Sequence, residues 1–184
     1  MRKVISLLAA LVMVVTLGST GSADIKTTHI TATVGITISF SMPTSYSFGT
    51  LATPKGYKYS ASQTMTISDS TTVTTDFYGC IDNLTYGVSG LVLNKLGVDN
   101  RFETVGIDSN TDNATFENLS SQYNTWQAID TQPNWQNLPV PPPGGQNYTF
   151  YFLLYWSTEY AGTYGGTCYV TAVEHGTTPS GTPH

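Results

Sequence analysis

The chain has 184 residues, with 12 Asp and Glu against 7 Lys and Arg, a formal net charge of −5 and only 10% charged residues in all. That length suits one domain with a real core, and an acidic balance without basic runs argues against nucleic acid and anionic membranes as partners. Ser and Thr make up about a quarter of the chain, so its polar surface is built from neutral hydrogen-bonding groups.

Arg2 and Lys3 precede an apolar run from Val4 to Leu17, and small residues at Gly21 and Ala23 follow it. This pattern predicts a secretory signal peptide over residues 1–23, cut near Ala23–Asp24. A retained anchor is the alternative, but the run is short for a membrane span and no second one follows. The mature chain is therefore expected to be secreted, extracellular or at the cell surface, with no membrane span. The stretch HITATVGITISFSMP comes next. Ile30, Ala32, Val34, Ile36, Ile38 and Phe40 alternate with Thr, Gly and Ser, which marks a strand with one buried face. It is about twice the usual strand length, and Gly35 interrupts it. Two readings follow. Ile36, Ile38 and Phe40 enter the chain's own core while residues 24–35, through Ile30, Ala32 and Val34, form a donor strand for a neighbour's sheet edge. Alternatively, one long edge strand bends at a bulge on Gly35.

Further strands are expected at Tyr46–Thr50, Ala61–Ser68, Thr72–Cys80, Thr85–Leu93, Asn147–Thr158 and Thr167–Glu174, separated by Gly, Pro, Asn and Asp clusters. YTFYFLLYW reads as a central strand covered on both faces. No amphipathic helix is evident. The fold class is all-β, an antiparallel β-sandwich of about seven to nine strands over residues 36–175. Residues 97–145 form an irregular, loop-rich insertion containing PNWQNLPVPPPGG, whose prolines require extended backbone. Residues 176–184 are a polar tail expected to be disordered.

Catalytic motifs are scarce. His29, His175 and His184 belong to no metal-binding or nucleophile motif, and no phosphate-binding loop occurs; the chain is read as a non-enzyme. Cys80 and Cys168 are expected to form one disulfide in an exported protein, worth about 4–5 kcal/mol by loop-closure entropy, with two separate buried thiols as the alternative. In DSNTDNATFE, the oxygens of Asp108, Asn110 and Asp112 fall at calcium-loop spacing, with Glu117 as a further ligand. The glycine and the terminal glutamate of such a loop are missing, so a solvated Asx-rich turn competes with it. Asn83, Asn113, Asn118 and Asn147 open N-x-Ser/Thr sequons and are glycosylation candidates. Trp126 and Trp135, in the irregular middle, are candidates for stacking on sugars; the competing reading has them covering the sandwich.

Two long pieces carry a resemblance. ITISFSMPTSYSFGTLATPKGYKYSASQTMTISDSTTVTTDFYG resembles the opening of secreted immunoglobulin-like sandwiches of prokaryotic surfaces, and YFLLYWSTEYAGTYGGTCYVTAVEH is similar to their final hairpin. The relatives it suggests are archaeal extracellular filament subunits (bundling pili and threads) and camelysin-like biofilm-matrix fibres. The resemblance implies an immunoglobulin-like sandwich and head-to-tail self-association by donor-strand complementation. The competing function is a monomeric surface adhesin or carbohydrate-binding module that meets surface glycans.

Overall fold

In a computed structural model of the chain, the described residues are 35–49, 55–86, 91–92, 102–157 and 163–183. The chain divides into two compact units, residues 1–35 and 36–184. The first, with the signal peptide and the donor candidates Ile30, Ala32 and Val34, lies outside the described residues apart from Gly35. The second is all-β. Its described strands are β1 (Phe40–Ser41), β2 (Lys55–Tyr59), β3 (Gln63–Ile67), β4 (Thr75–Ile81), β5 (Thr85–Tyr86), β6 (Leu91–Val92), β7 (Phe102–Asp108), β8 (Glu117–Asn118), β9 (Gln127–Ala128), β10 (Gln146–Ser157), β11 (Tyr164–Gly165) and β12 (Cys168–Glu174). A 3-10 turn spans Leu119–Gln122.

The sandwich is organised by β10. One of its edges pairs along Tyr151–Ser157 with β7; the other pairs first with β3 and then with β2, all antiparallel. β2 and β3 act as one bent partner. At the bend, Ser60 donates its backbone N–H to Phe152 O (2.8 Å) and accepts Phe152 N–H on Oγ (2.9 Å), so a side chain completes the interrupted ladder. The order β1–β3–β10–β7–β8, with β2 also on β10, makes the first sheet; β12–β4–β9 makes the second. A third set, β11–β5–β6, is short.

The period-2 pattern of β10 fills both its faces. Phe150, Leu154 and Trp156 enter the core between the sheets, with Met65 and Ile67 of β3, Val105 and Ile107 of β7, and Phe77 and Ile81 of β4. Phe77 sits edge-on to Phe40 at 5.0 Å and to Trp135 at 5.9 Å, and Trp135 sits edge-on to Phe150 at 5.3 Å. Such a T-shaped chain suits ring quadrupoles and joins the two sheets. At the start of β10, Gly145 (φ +83°) closes a turn in which its N–H donates to Pro142 O (2.9 Å); a Cβ there would lie 2.7 Å from Ile67 O, so glycine is required.

Several expectations are corrected. Residues 102–145 are loop-rich as expected, but they do more than decorate the sandwich. They supply the inner strand β7, the edge strand β8, and core residues Leu119, Ile129, Trp135 and Leu138. Residues 46–49 form no strand; Tyr46 and Phe48 pack edge-on at 5.1 Å instead. In place of one strand over Thr85–Leu93, β5 and β6 pair with each other. The strand expected to start at Ile30 is a strand only at Phe40–Ser41 among the described residues. Before it, Thr71 Oγ1 accepts Ser39 N–H and donates to Ser39 O, both at 3.0 Å, and Thr72 Oγ1 accepts Thr37 N–H at 3.0 Å. Phe40 packs on the core, but Ile36 does not enter it and is 62% exposed. The tail is tied down where it begins: Gly176 N–H donates to Asp76 (3.0 Å) and Thr177 N–H to Glu174 O (3.0 Å).

Candidate functional site

Two surfaces stand out. The first is the outer edge of β12. His175 N–H donates to Thr74 O (2.8 Å) and Asp82 N–H to Thr167 O (3.0 Å), so the odd-numbered residues of β12 bond to β4. The backbone N–H and C=O groups of Cys168, Val170 and Ala172 therefore point away from β4. Among the described residues no other strand pairs with that edge. The same three residues direct their side chains to the core, where they remain only half-buried. β12 is seven residues long, a ready template for one added strand.

The second surface is the outer face of β2, β10 and β7. Tyr57 lies opposite Tyr155, and Tyr59 opposite Leu153. The Tyr57 and Tyr155 rings are 5.5 Å apart with a 40° tilt, and Tyr155 lies 5.8 Å from Phe116 with a 32° tilt. Tyr59 stands edge-on to Tyr57 and to Tyr151, each at 6.5 Å. Gly106 makes room for this layer, since a Cβ there would meet the Phe116 ring at 2.4 Å. Two hydroxyls are pinned: Tyr59 donates to Asp108 Oδ2 at 2.7 Å, and Tyr155 donates to Asn113 Oδ1. Burial, the hydrogen bond to Asp108 and the nearby carboxylate charge raise the Tyr59 pKa well above the ordinary phenol range. Beneath the rings Leu153 is fully buried.

The residues singled out from sequence fall differently. Cys80 and Cys168 are not joined by a disulfide. Cys168 lies opposite Ile81 and Cys80 opposite Tyr169, so the two are one register step apart and their side chains leave opposite faces of the sheet. The expected bridge is not formed for that reason. Asp108, Asn110 and Asp112 do form a run of Asx turns: their side-chain oxygens accept the N–H groups of Asn110 (3.3 Å), Asp112 (2.8 Å) and Ala114 (2.9 Å). Glu117 is not gathered with them. Its buried carboxylate accepts Asp130 N–H (3.0 Å), Thr131 N–H (2.9 Å) and the Gln127 side-chain amide. Among the described residues no group of three or more His, Cys, Asp or Glu side chains is assembled to hold a metal. Trp135, 2% exposed, is a core residue and offers no ring to a sugar; Trp126 is half-buried.

Of the sequon residues, Asn147 is exposed in β10 and accepts the Thr66 hydroxyl at 2.8 Å. Asn83, Asn113 and Asn118 are half-buried, and Asn118 Oδ1 accepts the Ser120 hydroxyl at 2.9 Å. His175 Nδ1 lies 2.8 Å from Asp76 Oδ1. Asp76 also accepts Asn137 N–H at 2.7 Å. No described helix is long and apolar enough to cross a membrane.

The aromatic face escaped the sequence reading. Its signal was there in part, because period-2 spacing puts Tyr57 with Tyr59 and Tyr151 with Tyr155 on common faces. The pairing of β2 with β10 that unites them was not. No family model, curated protein or solved structure matches the chain.

Proposed function

We propose that the chain is a secreted, non-enzymatic structural subunit of an extracellular filament or biofilm matrix, assembled head to tail by strand addition. One observation carries the reading: β12 presents a seven-residue edge whose outward backbone groups meet no strand among the described residues, beside core-facing side chains that stay half-covered. A second copy's residues 30–36 are the proposed occupant. They match the edge in length, alternate as a strand must, and end in Ile36, an isoleucine that its own domain leaves 62% exposed. Ile30, Ala32, Val34 and Ile36 cover Cys168, Val170 and Ala172 of the acceptor, and the backbone supplies the ladder. Because the contact joins two different surfaces it is heterologous, and a rotation between copies that closes no ring makes its repetition a fibre. This mode agrees with the likeness to immunoglobulin-like filament subunits.

The test is negative-stain electron microscopy of the chain from Asp24 onwards, after slow removal of denaturant at acidic and neutral pH. Thin uniform fibres are expected, and deletion of residues 24–34 abolishes them. Ala172→Pro removes one outward N–H while leaving the β4 ladder intact, and is expected to give folded monomers. Monodisperse monomers from the unmodified chain, or undiminished fibres from Ala172→Pro, overturn the reading.

A further inference from the structure

We infer that the outer aromatic face is a binding site for neutral hexopyranose chains, centred on Tyr57 and Tyr155 with Phe116. The site is independent of the β12 edge and of strand addition. Tyr57 on β2, Tyr155 on β10 and Phe116 over β7 form a row across three strands, with neighbouring centroids 5.5 and 5.8 Å apart and planes tilted by only 40° and 32°. Each step is comparable with the length of one hexopyranose unit. The C–H bonds on a pyranose face carry partial positive charge and meet the negative face of an aromatic ring favourably. Tyr59, edge-on to Tyr57 at 83°, serves instead as its buttress, and Tyr151 in turn meets Tyr59 edge-on at 89°.

The row is rigid before any ligand arrives. Tyr155 is held by Asn113, and Tyr59, the buttress of Tyr57, by Asp108. Rings fixed in advance lose little freedom on binding. With its oxygen occupied by Tyr155, the amide nitrogen of Asn113 is left to donate at the edge of the row, where sugar hydroxyls accept.

Size and charge choose the occupant. A fully buried aromatic side chain covers about 150–250 Å2. Tyr57 is 55% exposed and its companions are half-buried. The free apolar area is thus well short of the about 800 Å2 that each partner brings to a stable protein interface, but enough for two or three sugar rings. The net charge of −5 disfavours polyanionic glycans.

The test uses the full chain and a panel of neutral hexasaccharides of hexopyranose units (gluco-, manno-, galacto- and N-acetylglucosamine), read by isothermal titration calorimetry. At least one is expected to bind saturably. Tyr57→Phe keeps the ring and should hold affinity within about twofold, whereas Tyr57→Ala should lose at least tenfold. Tyr57→Lys, suited to an exposed strand position, repeats the loss if the alanine variant folds poorly. Trp126→Ala should change nothing. The inference is overturned if no panel member binds, if Tyr57→Ala and Tyr57→Lys both bind like the unmodified chain, or if Tyr57→Ala removes a sugar-independent dimer. That last result would assign the face to a second copy.

Discussion

β4 and β12 are neighbours of equal length in one sheet, paired with each other in register along all seven residues. Their environments differ sharply. Six of the seven residues of β4 are buried, whereas β12 is half-buried throughout and exposed at its end. Composition predicts the reverse. β4 carries Asp76 and Gly79, while β12 reads Cys-Tyr-Val-Thr-Ala-Val, a strongly β-prone run. Position decides. β4 has β12 on one side and β9 with the Thr75–Leu138 bridge on the other, and Trp135, Leu119 and Ile129 close over it. β12 has one described neighbour. A strand's burial reports how many neighbours it has, and a β-prone strand left with one is a candidate for gaining another.

The largest expected effect comes from the buried member. Phe77→Ala removes the ring that touches both Phe40 and Trp135 and should cost about 3–5 kcal/mol. Val170→Ala, facing the same core from β12, should cost under about 1.5 kcal/mol, because its site is open and can relax. Urea unfolding of both variants measures the ratio; equal losses would show that β12 is as enclosed as β4.

Asp76 sharpens the same contrast by pH. Burial opposes its charged form, but the N–H groups of Asn137 and Gly176 and the His175 side chain outweigh burial and hold its pKa below the ordinary carboxylate value. A depressed carboxylate stabilises the fold above the unfolded-state pKa, near about 3.9, and that contribution is lost as pH falls through the lower folded value. Stability is therefore expected to fall with acidification below about pH 4, and Asp76→Asn should flatten that part of the profile. At pH 7, Asp76→Ala leaves two backbone donors unanswered and should cost roughly 1–3 kcal/mol. Unfolding midpoints between pH 2 and 7 test both.

What the sequence revealed follows the same logic. β10 was legible because its apolar and aromatic residues run almost without interruption, which only a strand covered on both faces tolerates. β7 was not, because Glu103, Gly106 and Asp108 punctuate it. The structure resolves the conflict by bonding: Glu103 accepts Leu84 N–H at 3.0 Å, and Asp108 accepts the Tyr59 hydroxyl at 2.7 Å. Those partners are 19 and 49 residues away, beyond the reach of any local pattern. β2, Lys-Gly-Tyr-Lys-Tyr, looked like a connection because its charged residues suit an edge. Trp135 sat among prolines and asparagines, and nothing local announced that this loop crosses the core. The apolar alternation from Ile30 left two readings open, and its first half lies outside the described residues; in the described part Phe40 packs on the core while Ile36 stays 62% exposed.

The smallest effect on stability concerns the two thiols, and it tests the β4–β12 register directly. Burial, then the neighbouring Cys80 and Asp82, push the Cys168 thiol up to about 12, so little thiolate is present at neutral pH and native alkylation should be slow. After unfolding without reductant, mass spectrometry should find both cysteines alkylated. A protected pair would instead require β12 to slip by one residue on β4, which would turn Val170 and Ala172 out of the core. The complementary experiment moves the cysteine rather than the strand. Ile81 lies directly opposite Cys168, in a pair that exchanges no hydrogen bonds, where Cα atoms approach to about 4.5 Å. That lies within the range a disulfide spans. Ile81→Cys combined with Cys80→Ser should therefore oxidise to a bridge that the unmodified chain does not form. The fibre should survive this change, since its proposed acceptor is the opposite edge of β12.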